Sequence, residues 1–304
     1  MAVETATRDA GNHIVPPTSS PELEASLVEA IEPWLQHMKW RADFDSWRER
    51  RIWQEDHQEA NLRDIRPVLG LRVEGTRLLD LGAGMGGLSV ALLREYGDNG
   101  LEVQATDYNP AYAQIARLRA RRYSLGLPLT VAAGEKLPYG DGQFGVVLCM
   151  DVLEHVQDVE AVLSEIYRVL KPGGVVLTTV PNRRAFRDPH YHLPLINWLP
   201  APISEQVIRR AGRSKSGGPL QDRQEHSELN TYTWAAFARL ASSKGFRVRD
   251  QVRHRILTGE IRQLHGLRRT LLNLMRGLRL VDPFYRIYRY GWQGTYQVML
   301  VKPR

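Results

Sequence analysis

The chain has 304 residues, 43% of them apolar and 25% charged, the balance of an ordinary globular protein. No apolar run reaches the roughly 18 residues that a bilayer span needs, and a single cysteine, Cys149, excludes an internal disulfide or a cysteine-cluster zinc site. The net charge of +7 is concentrated, because nine arginines between Arg253 and Tyr290 face only Glu260 and Asp282, leaving the remainder near neutrality.

In chain order, residues 1–20 are rich in Thr, Ser, Pro and small side chains and are expected to be disordered. Met1–Pro21 also lacks the apolar stretch of a cleaved secretory signal, so the chain reads as soluble and cytoplasmic. Leu23, Leu27, Ile31, Trp34, Leu35 and Met38 keep helical spacing, with Pro33 expected to kink or split that helix. Trp40, Phe44 and Trp47 extend the stripe, and residues 21–72 are predicted to form a helical cap on the domain that follows.

From residue 76 the pattern alternates strand and helix. Short apolar strands are predicted at Arg77–Leu81, Glu102–Thr106, Leu129–Ala132, Gly145–Met150 and Val175–Val180, with helices such as Ala111–Leu125 and Val159–Leu170 between them. That alternation argues for a parallel sheet covered on both faces. Lys171-Pro172-Gly173-Gly174 reads as the stop after the second of those helices. Cys149 falls in an apolar run and is expected to be an inert core residue.

After Val180 the pattern breaks. Residues 183–222, with Pro189, Pro194, Pro200, Pro202 and Pro219, read as an inserted lid. A helix over Thr233–Lys244 and a strand over Phe246–Arg253 follow, then a basic insertion at 256–290 and a last strand, Gly294–Lys302.

The most telling stretch is Leu78-Leu79-Asp80-Leu81-Gly82-Ala83-Gly84-Met85-Gly86-Gly87, where an apolar strand meets a glycine turn and the start of a helix. Such a turn brings bare backbone and unpaired N–H groups against a nucleotide-like ligand. Gly82, Gly84 and Gly87 satisfy G-x-G-x-x-G, with Asp107 at the distance the dinucleotide fingerprint asks. Asp80-x-Gly82-x-Gly84-x-Gly86 equally fits the methyl-donor loop of class I methyltransferases, so the glycines alone leave both ligands open.

Further blocks close that choice. Ala105-Thr106-Asp107-Tyr108-Asn109-Pro110, Glu135-Lys136-Leu137-Pro138-Tyr139, Asp151-Val152-Leu153-Glu154-His155-Val156 and Leu170-Lys171-Pro172-Gly173-Gly174 follow the loop in order. With it they resemble class I S-adenosylmethionine-dependent methyltransferases, in particular the group of ubiquinone-biosynthesis enzymes and bacterial small-molecule O-methyltransferases. The resemblance implies an α/β, Rossmann-like three-layer sandwich over residues 73–304, with a mostly parallel seven-stranded sheet and an antiparallel last strand. It implies S-adenosylmethionine as cofactor, contacted by Asp80, Gly82, Ala83, Gly84, Gly86, Asp107, Tyr108, Glu135 and Asp151. Asp107 is placed for the ribose hydroxyls, Tyr108 along the adenine, and Ala133 stands where the family often has an aspartate.

The acceptor is less determined. A hydroxyl acceptor gains from a base, and histidine titrates in the useful range. His155 after the fourth strand and His190 and His192 in the lid are the candidates, with His226 nearby in sequence pattern. Asp151, Glu154, His155 and His226 also resemble the metal-binding set of small-RNA 2′-O-methyltransferases, but the Glu-His pair is widespread in metal-free relatives and no metal is expected. The expected acceptor is a small molecule, a glycan or a lipid-linked precursor. An RNA or protein acceptor, or a silent partner subunit, is the alternative. In the basic insertion, Ile261, Leu264, Leu271, Met275 and Leu278 keep near-helical spacing among arginines. That pattern suits packing on the domain or peripheral contact with anionic lipid more than nucleic acid.

Overall fold

The computed structural model describes residues 17–70, 73–213, 225–258, 270 and 274–304. Residues 1–16, part of the lid (214–222) and much of the basic insertion (259–269 and 271–273) lie outside the described residues, and with them Ile261, Leu264 and Leu271.

The chain begins with helices. Ser20 caps α1 (Pro21–Leu35), whose first position is the proline that a helix start tolerates. Thr18 donates its amide to the Arg122 carbonyl (2.8 Å) and Ser19 bonds Glu24 (2.8 Å), so residues 18–20 are fixed to the fold rather than disordered. α1 runs through Pro33, and a 3-10 turn, Gln36–Met38, takes over three residues later. Leu27, Ile31 and Leu35 bury one stripe against Ile115. α2 (Phe44–Ile52) and α3 (Glu59–Leu69) complete the cap, with Leu62, Ile65 and Leu69 packed into the cluster that holds Leu78, Leu88 and Leu92.

The sheet then forms in the order expected of alternating strands and helices. Its strands are β1 (Arg77–Leu81), β2 (Glu102–Asp107), β3 (Leu129–Val131), β4 (Phe144–Cys149), β5 (Leu170–Pro181), β6 (Arg247–Asp250) and β7 (Thr295–Val301). The spatial order is β3-β2-β1-β4-β5-β7-β6. β7 runs antiparallel to both β5 and β6, and the other pairings are parallel. Helices α4 (Gly87–Tyr96), α5 (Pro110–Arg121), α6 (Val159–Val169) and α8 (Trp234–Ser243) supply the outer layers. This is the Rossmann-like sandwich the motif blocks imply. Its largest core cluster lies between β1, β4, β5, α6 and α8 and includes Cys149, whose thiol burial pushes well above the ordinary range.

Several boundaries depart from expectation, among them the end of α5, at Arg121 rather than Leu125. β5 starts at Leu170, because Leu170 pairs with Phe144 and Lys171–Gly174 form an irregularity inside the strand rather than a loop before it. Gly173 takes φ +75° there and donates to the Lys302 carbonyl. The predicted strand to Arg253 ends at Asp250, whose carboxylate accepts the Arg253 amide (3.0 Å) and starts α9 (Gln251–Thr258). The same carboxylate accepts from Tyr285 Oη (2.8 Å) and Arg289 (3.0 Å), fastening α10 (Val281–Gly291) to the sheet edge. α7 (Ala201–Arg210) lies in the lid.

Candidate active site

The sheet order reverses between β1 and β4, and in open α/β sheets the crevice at the carboxyl ends of such strands receives the ligand. The β1–α4 turn crosses that crevice. Gly82, Gly84 and Gly86 take φ of +70°, +54° and +77°, the left-handed region that glycine enters without penalty. A Cβ at Gly82 would stand 2.3 Å from Val152 Cγ2, and one at Gly86 2.6 Å from the Ala116 Cβ, so these two let the loop pack closely. At Gly84 a Cβ would meet nothing within 4 Å: bare backbone faces open space.

Carboxylates support the turn from both sides. Asp107, at the end of β2, accepts the Gly84 amide (2.8 Å) and the Asn109 amide (2.9 Å). A carboxylate offers about four lone-pair sites, and this placement beside open backbone suits a sugar that presents hydroxyl donors. Tyr108 stands beside it, 56% exposed. Asp80 lies beneath the turn, 3% exposed, and accepts from Ser89 Oγ at 2.5 Å. Burial raises its carboxyl to about 6 despite the Ser89 bond. Glu135 is engaged elsewhere: its Oε1 accepts the Gln157 and Asp158 amides (3.0 and 3.4 Å) and braces the start of α6.

Opposite the glycine turn, residues after β4 form a second group. Asp151 takes φ +55°, an uncommon conformation for a residue with a side chain. Thr179 holds it there, accepting its amide (2.6 Å) and donating to Oδ1 (2.8 Å). Asp151 stays accessible within a recess, yet the surrounding protein, and secondarily the Glu154 charge, raise its carboxyl above the ordinary value. Glu154 is 1% exposed, and its Oε2 is buried without a hydrogen bond. Its Oε1 lies 3.6 Å from His190 Nε2, and the His155 and His190 rings meet edge-on at 5.9 Å. Asn230 fixes this loop by donating to the carbonyls of Leu153 (3.2 Å) and Val156 (2.7 Å). That clamp carried no recognisable motif in the sequence.

The lid histidines separate. Asp188 accepts the His190 and Tyr191 amides (2.8 and 2.7 Å) and so aims His190 at Glu154. His192 instead sits 6.4 Å from the Trp40 ring of the cap, and burial, followed by the Arg41 charge, lowers its pKa. His226 bonds Asn197 (2.8 Å) and lies 3.6 Å from Asp188, apart from Glu154. Glu154, His155 and His190 do bring one ligand-type atom each within 4.8 Å of one another, so the carboxylate-histidine set recruits His190 where the sequence pattern offered His226.

The switch-point crevice, the glycine turn backed by Asp107, and the Leu153-Glu154-His155 block define a class I adenosylmethionine-dependent methyltransferase domain. Residues 79–178 match the family described as a methyltransferase domain, and this segment of the chain is such a domain. A ubiquinone biosynthesis O-methyltransferase of Xanthomonas oryzae pv. oryzae is 34% identical over 140 residues, 44% of this chain and 57% of that protein. A ubiquinone/menaquinone biosynthesis C-methyltransferase of Neisseria meningitidis serogroup C is 38% identical over 104 residues, 34% of this chain and 42% of that protein. The chain thus spans about half the length of the curated relatives it matches. Among solved structures, Haemonchus contortus phosphoethanolamine N-methyltransferase 2 in complex with S-adenosyl-L-methionine is 17% identical, covering 81% of this chain and 52% of that one with a TM-score of 0.49.

Proposed function

We propose that the chain transfers a methyl group from S-adenosylmethionine to a hydroxyl oxygen of a small molecule, glycan or lipid precursor. The observation that carries this reading is the histidine pair beside the buried Glu154 carboxylate, on a loop whose Val152 packs against Gly82 of the glycine turn. The relatives' names support both oxygen and carbon acceptors. An imidazole held by a carboxylate favours oxygen, whose proton must leave as the new bond forms.

When bound, the donor supplies a methyl group already activated by its sulfonium. Gly82, Ala83, Gly84 and Gly86 would offer it backbone, Asp107 would accept its ribose hydroxyls, and Tyr108 would flank its base. Asp80 supports the turn from below. The remaining work is alignment, worth several powers of ten when the reacting atoms are held at near-attack distance. His190 takes the acceptor proton on Nδ1, since its Nε2 is the nitrogen that faces Glu154 (3.6 Å); Glu154 steadies the imidazolium so formed, and solvent removes the proton afterwards. His155 closes the other side of the acceptor.

The test is transfer of a labelled methyl group to lysate separated into small-molecule, lipid, glycan, RNA and protein fractions. Label in an alkali-stable ether of a small molecule, lipid or glycan is expected. Label confined to RNA or protein, or donor binding without turnover on any fraction, overturns the reading.

A further inference from the structure

The outward side of the lid and the free face of α10 form one exposed apolar surface. Phe186 donates its amide to the Gly291 carbonyl, its ring meets Trp198 at 6.3 Å, and Trp198 Nε1 donates to the Arg184 carbonyl (3.1 Å). The Arg184 guanidinium lies 4.6 Å over the Tyr290 ring, and the Asn182 amide reaches the Arg289 carbonyl (3.0 Å). Lid and helix are therefore continuous here. Along α10, Phe284, Ile287 and Tyr288 share a stripe by their spacing, while Val281 and Tyr285 face the protein. Ile287 is 62% exposed and Trp292, just past the helix, 70%. Single exposed apolar residues are ordinary, but a contiguous aromatic and aliphatic face marks an interaction site.

Basic side chains predominate around that face. Arg183, Arg184 and Arg187 are exposed at the lid's root, Arg209 and Arg210 end α7, and Arg286 stands on α10. Of the nearby acids, Asp282 binds Arg253 (2.6 Å) and stands 3.8 Å from Arg286, Asp250 is buried with Tyr285 and Arg289, and Glu205 accepts the Ser227 amide (3.0 Å). An open groove of about 570 Å³, lined by Arg183, Arg184, Trp198 and Tyr232 among others, lies beside the aromatics. Tryptophan and tyrosine prefer the boundary between headgroup and acyl chain, where apolar rings bury while polar edges stay wet. Arginines adjoining such rings add attraction to anionic lipid.

We propose that this face, built from Phe186, Trp198, Tyr290 and Trp292 with the Phe284/Ile287 stripe of α10, docks on an anionic lipid bilayer, with Arg183 and Arg184 taking lipid phosphate in the groove. The same lid turns Asp188 and His190 inward to the site, so docking sets the candidate acceptor site against the membrane surface. Docking stands without the methyl-transfer reading, since it involves neither the glycine turn nor Glu154.

The test is co-sedimentation of the full chain with phosphatidylcholine vesicles, with and without an equal part of phosphatidylglycerol, at low and high salt. Binding to the mixed vesicles is expected, falling with salt and weak on the neutral ones. Phe284→Glu combined with Ile287→Glu should lower the partition coefficient roughly tenfold or more, because each removes an apolar side chain from the interface and adds a like charge. Arg184→Glu with Arg286→Glu should abolish the preference for phosphatidylglycerol. Unchanged thermal melting and unchanged donor binding of these variants keep a lost fold or a failed methyltransferase reading distinct from a failed docking. Negligible binding to both vesicle types overturns the proposal. So does self-association of the chain that the Phe284/Ile287 variant removes, which would make the face an interface between copies.

Discussion

Asp80 concentrates the physical tension of the site in one side chain. Water solvates a carboxylate far better than this pocket does, and the Ser89 hydroxyl returns only part of that loss. With the folded pKa raised from 3.8 to about 6, the native state binds the proton more tightly than the unfolded chain does. The contribution to stability is then fully present below about pH 4 and is lost as pH rises through about 6. Asp80→Asn should remove that slope, worth on the order of 3 kcal/mol across the window at 1.36 kcal/mol per unit. Denaturant titrations of both proteins at several pH values between 4 and 6.5 check it. Identical pH profiles would mean that Asp80 titrates normally.

The glycines make a second comparison at this scale. Gly82→Ala meets both a left-handed backbone and the Val152 side chain, whereas Gly84→Ala meets the backbone term alone. The first should cost several kcal/mol of stability and the second about 1 kcal/mol. Donor affinity should reverse that order of interest, because the methyl at Gly84 projects into the open cradle. Calorimetric titration with S-adenosylhomocysteine on the folded Gly84→Ala protein is expected to show at least a tenfold loss, and retained affinity would place the ligand elsewhere.

At the scale of elements, the cap and the domain are joined by buried charge. Arg119 of α5 is wholly buried, pairs with Glu55, and donates to the Ile52 carbonyl (2.7 Å) and, through Nε, to the Met85 carbonyl of the glycine turn (2.9 Å). Arg122 shares Glu55 at 2.9 Å. One network thus spans the cap, α5 and the donor loop. Removing one partner of a buried pair costs about 3–5 kcal/mol, since the other charge is left without compensation. Arg119→Met should destabilise the protein by that order and expose the α2–α3 linker to protease before the sheet unfolds. Simultaneous, cooperative loss of both would show that the cap is no separate unit. Apolar spacing is local, so the helical stripe of α1 was legible in the sequence; the network was not, because Glu55 and Arg119 are 64 residues apart. The same limit explains Asp250, whose bonds to Tyr285 and Arg289 reach 35 and 39 residues along the chain. By contrast, β1 and β4 were legible within a residue or two, since strands buried on both faces read as largely apolar runs. Of the site, the donor half was written as contiguous motif blocks. The acceptor half is assembled from β4, the lid and Asn230, so the sequence showed Asp151, Glu154 and the histidines one by one but not that His190 joins Glu154 and His155.

For the whole molecule, the glycine turn alone left a dinucleotide and a methyl donor equally open, and the surrounding architecture gives that choice a measurable form. Ligand that binds only the folded state stabilises it by RT ln(1 + [L]/Kd), about 2.7 kcal/mol at a hundredfold excess over Kd. Unfolding entropy near 2.1 cal/mol/K per residue turns that into a melting shift of about 4 °C for a chain of 304 residues. S-adenosylhomocysteine should produce such a shift and NADH none. Because the Arg119 network ties the Met85 carbonyl of the turn to Ile52 and Glu55, the ligand should also slow cleavage of the α2–α3 linker in the same preparation. Asp107→Ala should abolish both effects, as it removes the carboxylate that holds the Gly84 and Asn109 amides. A shift with NADH at comparable excess would return the turn to the dinucleotide reading. A shift with S-adenosylhomocysteine that survives in Asp107→Ala would keep the ligand class and move its ribose away from the end of β2.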